Sequence, residues 1–183
     1  MGNTQTVKNY NGTMHYYRNG QYHRDGDFPA MECANGDKYW YANGRLHRDG
    51  DLPAIERVNG NKEWFVNGDR HRNGGLPAVE CNDYKEWWVN GKLYRDDDLP
   101  TIECTDGTKE WCVNNNGEHH RDGGLPAIEC VNGDKEWWVN NELHRDGGLP
   151  AVECVDGDSE ARFARQEWHV NGKRHRDGGL PAI

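Results

Sequence analysis

Three residue types capable of chemistry recur in this chain at fixed positions. A His-Arg pair stands at His23-Arg24, His47-Arg48, His71-Arg72, His120-Arg121, His144-Arg145 and His175-Arg176, with Tyr94-Arg95 fourth in the series. A glutamate ladder runs through Glu32, Glu56, Glu80, Glu103, Glu129 and Glu153. Five of the six cysteines share one slot, Cys33, Cys81, Cys104, Cys130 and Cys154; Arg57 takes that slot once, and Cys112 is elsewhere. Histidine with cysteine would bind a soft metal, and arginine an anion. The pattern reads otherwise. Tyr94 replaces a histidine without disturbing the series, which a ligand site would not permit. No Cys-x-x-Cys pair is present, so the thiols are expected to be reduced, unmetallated and buried as small apolar residues. The arginines are expected to pair with the glutamates, and the histidines to pack on an aromatic row.

The loops Asp25-Gly26-Asp27, Asp49-Gly50-Asp51 and Asp96-Asp97-Asp98 carry the oxygens of a calcium site without its spacing. The roughly nine-residue calcium roll and the EF-hand loop are both absent, which leaves turn chemistry. No unique nucleophile, acid–base pair or phosphate loop stands outside the repetition. A catalytic site needs one converging constellation, so no catalytic residue, no metal and no cofactor is expected.

The elements that carry these residues repeat seven times. Every proline occupies one slot, Pro29, Pro53, Pro77, Pro100, Pro126, Pro150 and Pro181, at spacings of 24, 24, 23, 26, 24 and 31 residues. Such a period marks units that bury their apolar faces only against one another. Two Asn residues inserted near Asn114-Asn115-Asn116-Gly117 account for the 26-residue spacing. The division expected is a polar leader or imperfect cap over residues 1–13 and one β-repeat domain over 14–183. An insertion over 159–165 has the composition for a turn of helix.

Within each unit a tryptophan slot holds Trp40, Trp64, Trp87, Trp111, Trp137 and Trp168, with Tyr16 first. Two residues on come Val66, Val89, Val113, Val139 and Val170, which would share its face on a strand. These tryptophans, with the valines beside them, are the expected core. The slot between is looser: Tyr17, Tyr41, Phe65, Trp88, Cys112, Trp138 and His169. Its aromatic members are a candidate interaction stripe on the opposite face. Next comes Asn-Gly, as in Asn43-Gly44 and Asn67-Gly68, the strongest short-range hairpin signal. Leu-Pro-Ala then leads into a short strand such as Ala127-Ile128-Glu129-Cys130, closed by a second turn such as Asn132-Gly133. The fold class is therefore all-β, an elongated array of about seven antiparallel hairpin units with two or three strands each.

The slot pattern Tyr/Trp-x-x-Asn-Gly-x-x-His-x-x-x-Gly resembles MORN repeats. Trp87, Trp88, Asn90 and Gly91, and Trp137, Trp138 and His144, carry the likeness, which covers about Met14 to Ile183. The chain has Arg where the usual MORN unit has Gly after the His, and it adds Leu-Pro-Ala-Ile-Glu-Cys. Units of the His-Arg-x-x-Gly-Pro-Ala type look like repeats of large DNA viruses and phages. The resemblance implies hairpins side by side in one sheet, used for protein contacts and sometimes at membranes, and it implies no catalytic residue. Aromatic-rich short repeats also resemble glycan-binding cell-wall modules, which gives the stripe a second reading.

The charge is −9, from 31 acidic and 22 basic residues, so nucleic acid is not an expected partner. No stretch has the apolar length of a membrane span. The N-terminus lacks a signal-peptide core, so a cytoplasmic protein, or a virion component if viral, is expected rather than a secreted one. Met1-Gly2-Asn3-Thr4-Gln5-Thr6 fits the myristoylation pattern with Gly2 as acceptor. One acyl chain gives marginal anchoring, and Lys8 is the only basic residue nearby, so membrane association stays open. The last unit stops at Ile183 without a polar end, and an open strand edge pairs readily with another chain. The expected function is a non-enzymatic scaffold for protein–protein contacts or self-association, a viral or phage component among its settings. An acylated membrane adaptor and a glycan-binding stripe are the alternatives.

Overall fold

Asn43-Gly44 turns the chain with both residues at positive φ, 49° and 80°, as a type I′ hairpin requires. A similar pair recurs at Asn90-Gly91, 49° and 72°, and at Asn171-Gly172, 49° and 70°. Asn and Gly tolerate this region, and its twist matches that of the strands it joins. The computed structural model describes residues 5–114, 116–155 and 165–175. Gly2, residues 159–164 of the expected insertion and the C-terminal residues 176–183 with Pro181 lie outside the described residues. Arg165, the last residue of that insertion, already belongs to a strand, Arg165–Glu167.

Among the described residues every regular element is a β-strand, and the pairing between them is antiparallel. The chain divides into two compact units, Met1–Lys92 and Leu93–Ile183. In the first, strands follow one another in sheet order: Gln5–Tyr10, Thr13–Arg18, Met31–Glu32, Lys38–Tyr39, Ile55–Glu56, Lys62–Glu63, Val79–Glu80 and Tyr84–Glu86, with Gln21–Tyr22 also on Thr13–Arg18. In the second, the order is Ile102–Cys104, Lys109–Glu110, Ile128–Glu129, Lys135–Glu136, Val152–Cys154 and Arg165–Glu167. Residues 5–10 of the presumed leader thus form a full strand, paired from Gln5↔Arg18 to Tyr10↔Thr13.

Register places unlike charges opposite one another. In the first unit Glu32, Lys38, Glu56, Lys62, Glu80 and Lys85 are successive cross-strand partners. Glu103, Lys109, Glu129, Lys135 and Glu153 do the same in the second. Each such pair contributes a few tenths of a kcal/mol, about 0.2–1, and fixes register more than stability.

The unit contains four short strands rather than two or three. After the main-sheet pair, the chain forms a separate side hairpin, such as Tyr41–Ala42 with Arg45–Leu46 or Cys112–Val113 with Glu118–His119. The tryptophan sits at the junction. Trp64 donates its backbone N–H to the Ala78 carbonyl, beside the proline later in the same unit, and its own carbonyl accepts from His71 N–H. This handover between sheets breaks the strand period, which corrects the expected Trp-Val face. Trp40, Trp64, Trp87, Trp111, Trp137 and Trp168 are 5–7% exposed, whereas Val66, Val89, Val113, Val139 and Val170 are 36–38% exposed. The alanines after the prolines complete the core instead: Ala30, Ala54, Ala78, Ala127 and Ala151 have no exposed surface.

Candidate functional site

In five of the described His-Arg pairs the Arg lies over the ring of its own unit. Arg24 covers Tyr16, and Arg48, Arg72, Arg121 and Arg145 cover Trp40, Trp64, Trp111 and Trp137, at 3.5–3.8 Å from guanidinium carbon to ring centroid. The same guanidinium donates to a proline carbonyl and a ladder glutamate. Arg72 reaches Pro77 O at 3.2 Å and Glu80 Oε1 at 2.8 Å. Arg48, Arg95, Arg121 and Arg145 repeat this on Glu56, Glu103, Glu129 and Glu153. Where the residue two before the proline is aspartate, the arginine also clamps it across the repeat boundary: Arg48 on Asp27, Arg72 on Asp51, Arg121 on Asp98. The Arg48 hydrogen bond holds the Asp27 carboxyl below its ordinary range. Cation–π contact, ion pair and backbone bond converge on one flat group, which Lys could not reproduce.

The histidines do not pack on the aromatic row; the arginines occupy that place. Five of these imidazoles join two repeats. Nδ1 of His23, His47, His71, His120 and His144 accepts the backbone N–H of Asn43, Asn67, Asn90, Asn140 and Asn171, at 3.1–3.2 Å. Nε2 faces the residue two further on, for example Asp49 at 3.1 Å and Asn73 at 2.9 Å. A backbone N–H can only donate, so Nδ1 accepts and the ring proton sits on Nε2.

Between successive Asp/Gly loops lies a cleft. One of about 370 Å³ is bordered by Arg24, Phe28, Trp40 and His47, and one of about 380 Å³ by Arg48, Leu52, Trp64 and His71. In the second unit the equivalents, of about 200 and 250 Å³, carry Leu125 and Leu149 at the lip. These lip residues, with Leu76 and Leu99, are 41–57% exposed.

A third group of slots varies from repeat to repeat. The residue two before the looser slot, the looser slot itself and the residue before the ladder histidine fall together. In the first repeat they are His15, Tyr17 and Tyr22, with Tyr17–Tyr22 stacked at 4.7 Å, and Tyr22 stacks at 5.0 Å on Tyr41 of the next. A hydrogen bond with Tyr17, and then burial, raises the Tyr22 hydroxyl to about 12. In the third they are Glu63, Phe65 and Arg70, and Glu63 accepts from both Arg57 and Arg70. Trp88 and Trp138 donate Nε1 to Glu86 and Glu136 at 2.7 and 2.8 Å. Glu167 is held below its ordinary range by His169, with Arg165 and Arg174 adding to it. In the fifth repeat the set is Glu110, Cys112 and His119. His119 Nε2 lies 2.8 Å from Glu110 Oε2, and hydrogen bonds with Cys112 first and Glu110 second raise the imidazole to about 10.

The expected stripe belongs to this column. Tyr17, Tyr41, Phe65 and Trp138 are half-buried, and Trp88 is buried, 8% exposed. Cys112 and His169 in the same slot are buried too, so the slot's variability does not mark exposure. Cysteine burial also departs from expectation. Cys33, Cys81, Cys104, Cys130 and Cys154 are half-buried, and only Cys112, outside that slot, is buried. Desolvation nevertheless raises the thiols of Cys33, Cys104, Cys130 and Cys154, keeping them protonated.

Slot-by-slot reading missed two things. The Glu110, Cys112 and His119 group escaped because each residue was compared with its own column and not with the other two. The signal was present: Cys112 and His119 both leave their column's usual residues in the one repeat with a lengthened turn. The exposed Phe/Leu row beside the prolines was read only as the lead into a short strand. Neither a protein-family model nor a curated protein sequence matches this chain.

Proposed function

We propose that this protein is a non-enzymatic, MORN-like repeat scaffold that holds a protein partner along its Asp/Gly-loop face. One observation carries the reading. The same cleft recurs at four repeat steps, two in each compact unit, with Phe28, Leu52, Leu125 or Leu149 standing half-exposed at its lip. A row of apolar side chains at fixed spacing beside polar loops is the make-up of a docking surface. Nucleic acid fits less well: Arg48, Arg72 and Arg121 have side chains only 11–13% exposed and are paired with carboxylates. Tyr17, Tyr22 and Tyr41 stack on one another, which supports a packing role over sugar stacking.

Photo-crosslinking residues at positions 52 and 125, in protein returned to its native source, test this. Both positions should trap the same protein, identified by mass spectrometry, while positions 58 and 131, exposed valines in the opposite turns, should not. Equal trapping at all four, or none at 52 and 125, would reject the loop face.

A further inference from the structure

We propose that Glu110, Cys112 and His119 form a binding site for one divalent ion of the zinc type. Their ligand atoms all lie within 4.8 Å of one another. A tetrahedral ion bound at about 2.0–2.3 Å from N, O and S donors needs those donors roughly 3.3–3.8 Å apart. Small side-chain rotations reach that spacing, with the ion replacing the direct contact of Glu110 with His119. The set of one thiolate, one imidazole and one carboxylate suits zinc and not magnesium or calcium.

The backbone supplies the rigidity. Cys112 and His119 are directly opposite each other on a side hairpin. Glu110 is held in the main sheet, paired with Ile102 and Ile128. Thr101, which replaces the alanine of other repeats, accepts the Cys112 N–H on Oγ1 at 2.9 Å and donates to its carbonyl at 3.3 Å. Trp138 lies 5.6 Å from the His119 ring and walls one side.

The repetition provides an internal control. In three other triplets the glutamate is satisfied by groups that cannot bind a metal, namely Trp88, Trp138, or Arg57 with Arg70, and in the seventh Glu167 meets His169 but has no cysteine beside it. Only this repeat combines a cysteine with a histidine, and the turn length within it and the alanine slot of the repeat just before it, held by Thr101, change with them. Three protein donors leave one coordination position for water or a small ligand. Cys104 Sγ, 4.0 Å from Glu110 Oε1, stands outside the set. Binding releases two protons to solvent, one from the Cys112 thiol and one from the His119 imidazolium, since the ligands are a thiolate and a neutral imidazole.

The test is cobalt(II) titration of the full chain under a non-chelating reductant. One equivalent should bind, with a thiolate-to-cobalt charge-transfer band and tetrahedral ligand-field absorption, both removed by zinc. Cys112→Ser should lose the charge-transfer band and at least tenfold in affinity. Cys104→Ser and Cys130→Ser should keep both. His119→Gln should lose the affinity and keep circular dichroism and melting close to wild type, which covers failure of Cys112→Ser to fold. Binding without a thiolate band, a band that survives Cys112→Ser, or no stoichiometric binding would overturn the site.

Discussion

Trp64 donates its indole Nε1 to the carbonyl of Asp51, thirteen residues earlier, at 3.0 Å. The same bond joins Trp40 to Asp27, Trp87 to Gly75, Trp111 to Asp98, Trp137 to Gly124 and Trp168 to Gly148. A buried tryptophan needs a partner for its N–H. Here the partner carbonyl is aimed by a left-handed residue: Asp27, Asp51 and Asp98 have φ of 54°, 55° and 53°, and Gly75, Gly124 and Gly148 have 68°, 69° and 66°. Core and loop are thus one device, and the Arg above Trp40, Trp64, Trp111 and Trp137 closes it.

Trp64→Ala should therefore cost about 3–5 kcal/mol, the range for truncating a buried aromatic. Trp64→Phe keeps most of the apolar contact but leaves the Asp51 carbonyl without its donor, a loss of about 1 kcal/mol. Urea denaturation of both variants measures the difference. A Trp64→Ala cost below about 1 kcal/mol would mean that the ring is not part of the core.

The left-handed slot makes its own prediction. A Cβ at Gly75 would meet nothing within 4 Å, so substitution there tests backbone strain alone. Gly75→Ala should destabilise by about 1–2 kcal/mol. Gly75→Asp should cost less, because Asp tolerates this region and the chain itself places Asp27, Asp51 and Asp98 there. Equal losses for Ala and Asp in denaturant titrations would refute the ranking.

Asp27 gives a pH dependence. Its folded carboxyl is lowered, chiefly by the Arg48 hydrogen bond. A depressed acid contributes stability that is present above its unfolded pKa and lost as pH falls through the folded value. Wild type should melt above Asp27→Asn at neutral pH, and the gap should close on acidification below roughly pH 4, where the unfolded carboxyl begins to bind its proton. Asn is close in shape and also accepts positive φ, so the comparison isolates the charge. A gap independent of pH would show that the Arg48 pair contributes nothing. Asp27 is about half exposed, so the effect should also shrink in salt.

Much of the fold was legible because its signals are local. Asn43-Gly44 specifies a turn by conformational preference alone, and the seven-fold recurrence of Pro and Trp sets the unit. The pairing of Arg72 with Glu80 followed from opposite charges at a fixed offset. Other features depend on where strands hand over from one sheet to another. Trp64 lies between two sheets, so alternation before it says nothing about Val66 after it. The guanidinium of Arg72, not His71, covers Trp64, and side-chain reach alone could not rank them. The Glu110, Cys112 and His119 group was hidden for a different reason: Cys112 lies two positions after Glu110 and His119 seven positions after Cys112, spacings that match no familiar ligand motif. Only the register of the side hairpin puts Cys112 opposite His119.

The ladder histidines make the last prediction. His47 Nδ1 accepts the Asn67 N–H of the next repeat at 3.2 Å, while Nε2 holds Asp49 at 3.1 Å. The chain provides its own variant at Tyr94, whose hydroxyl keeps the equivalent carboxylate, Asp96, at 2.6 Å. A phenol ring has no nitrogen at the δ position, so tyrosine can replace one of the two bonds and not the other. His47→Tyr should cost about 0.5–1.5 kcal/mol, the net worth of one hydrogen bond. The loss should be local: hydrogen exchange at the Asn67 amide should accelerate, while the Trp64 amide, bonded to Ala78 O at 2.8 Å, stays protected. His47→Phe should add the loss of the Asp49 contact, a small change because that carboxylate is almost fully exposed. If Asn67 exchange were unchanged in His47→Tyr, the imidazole would not be the staple between repeats, and the Asn-Gly turn would be held by its own conformation alone.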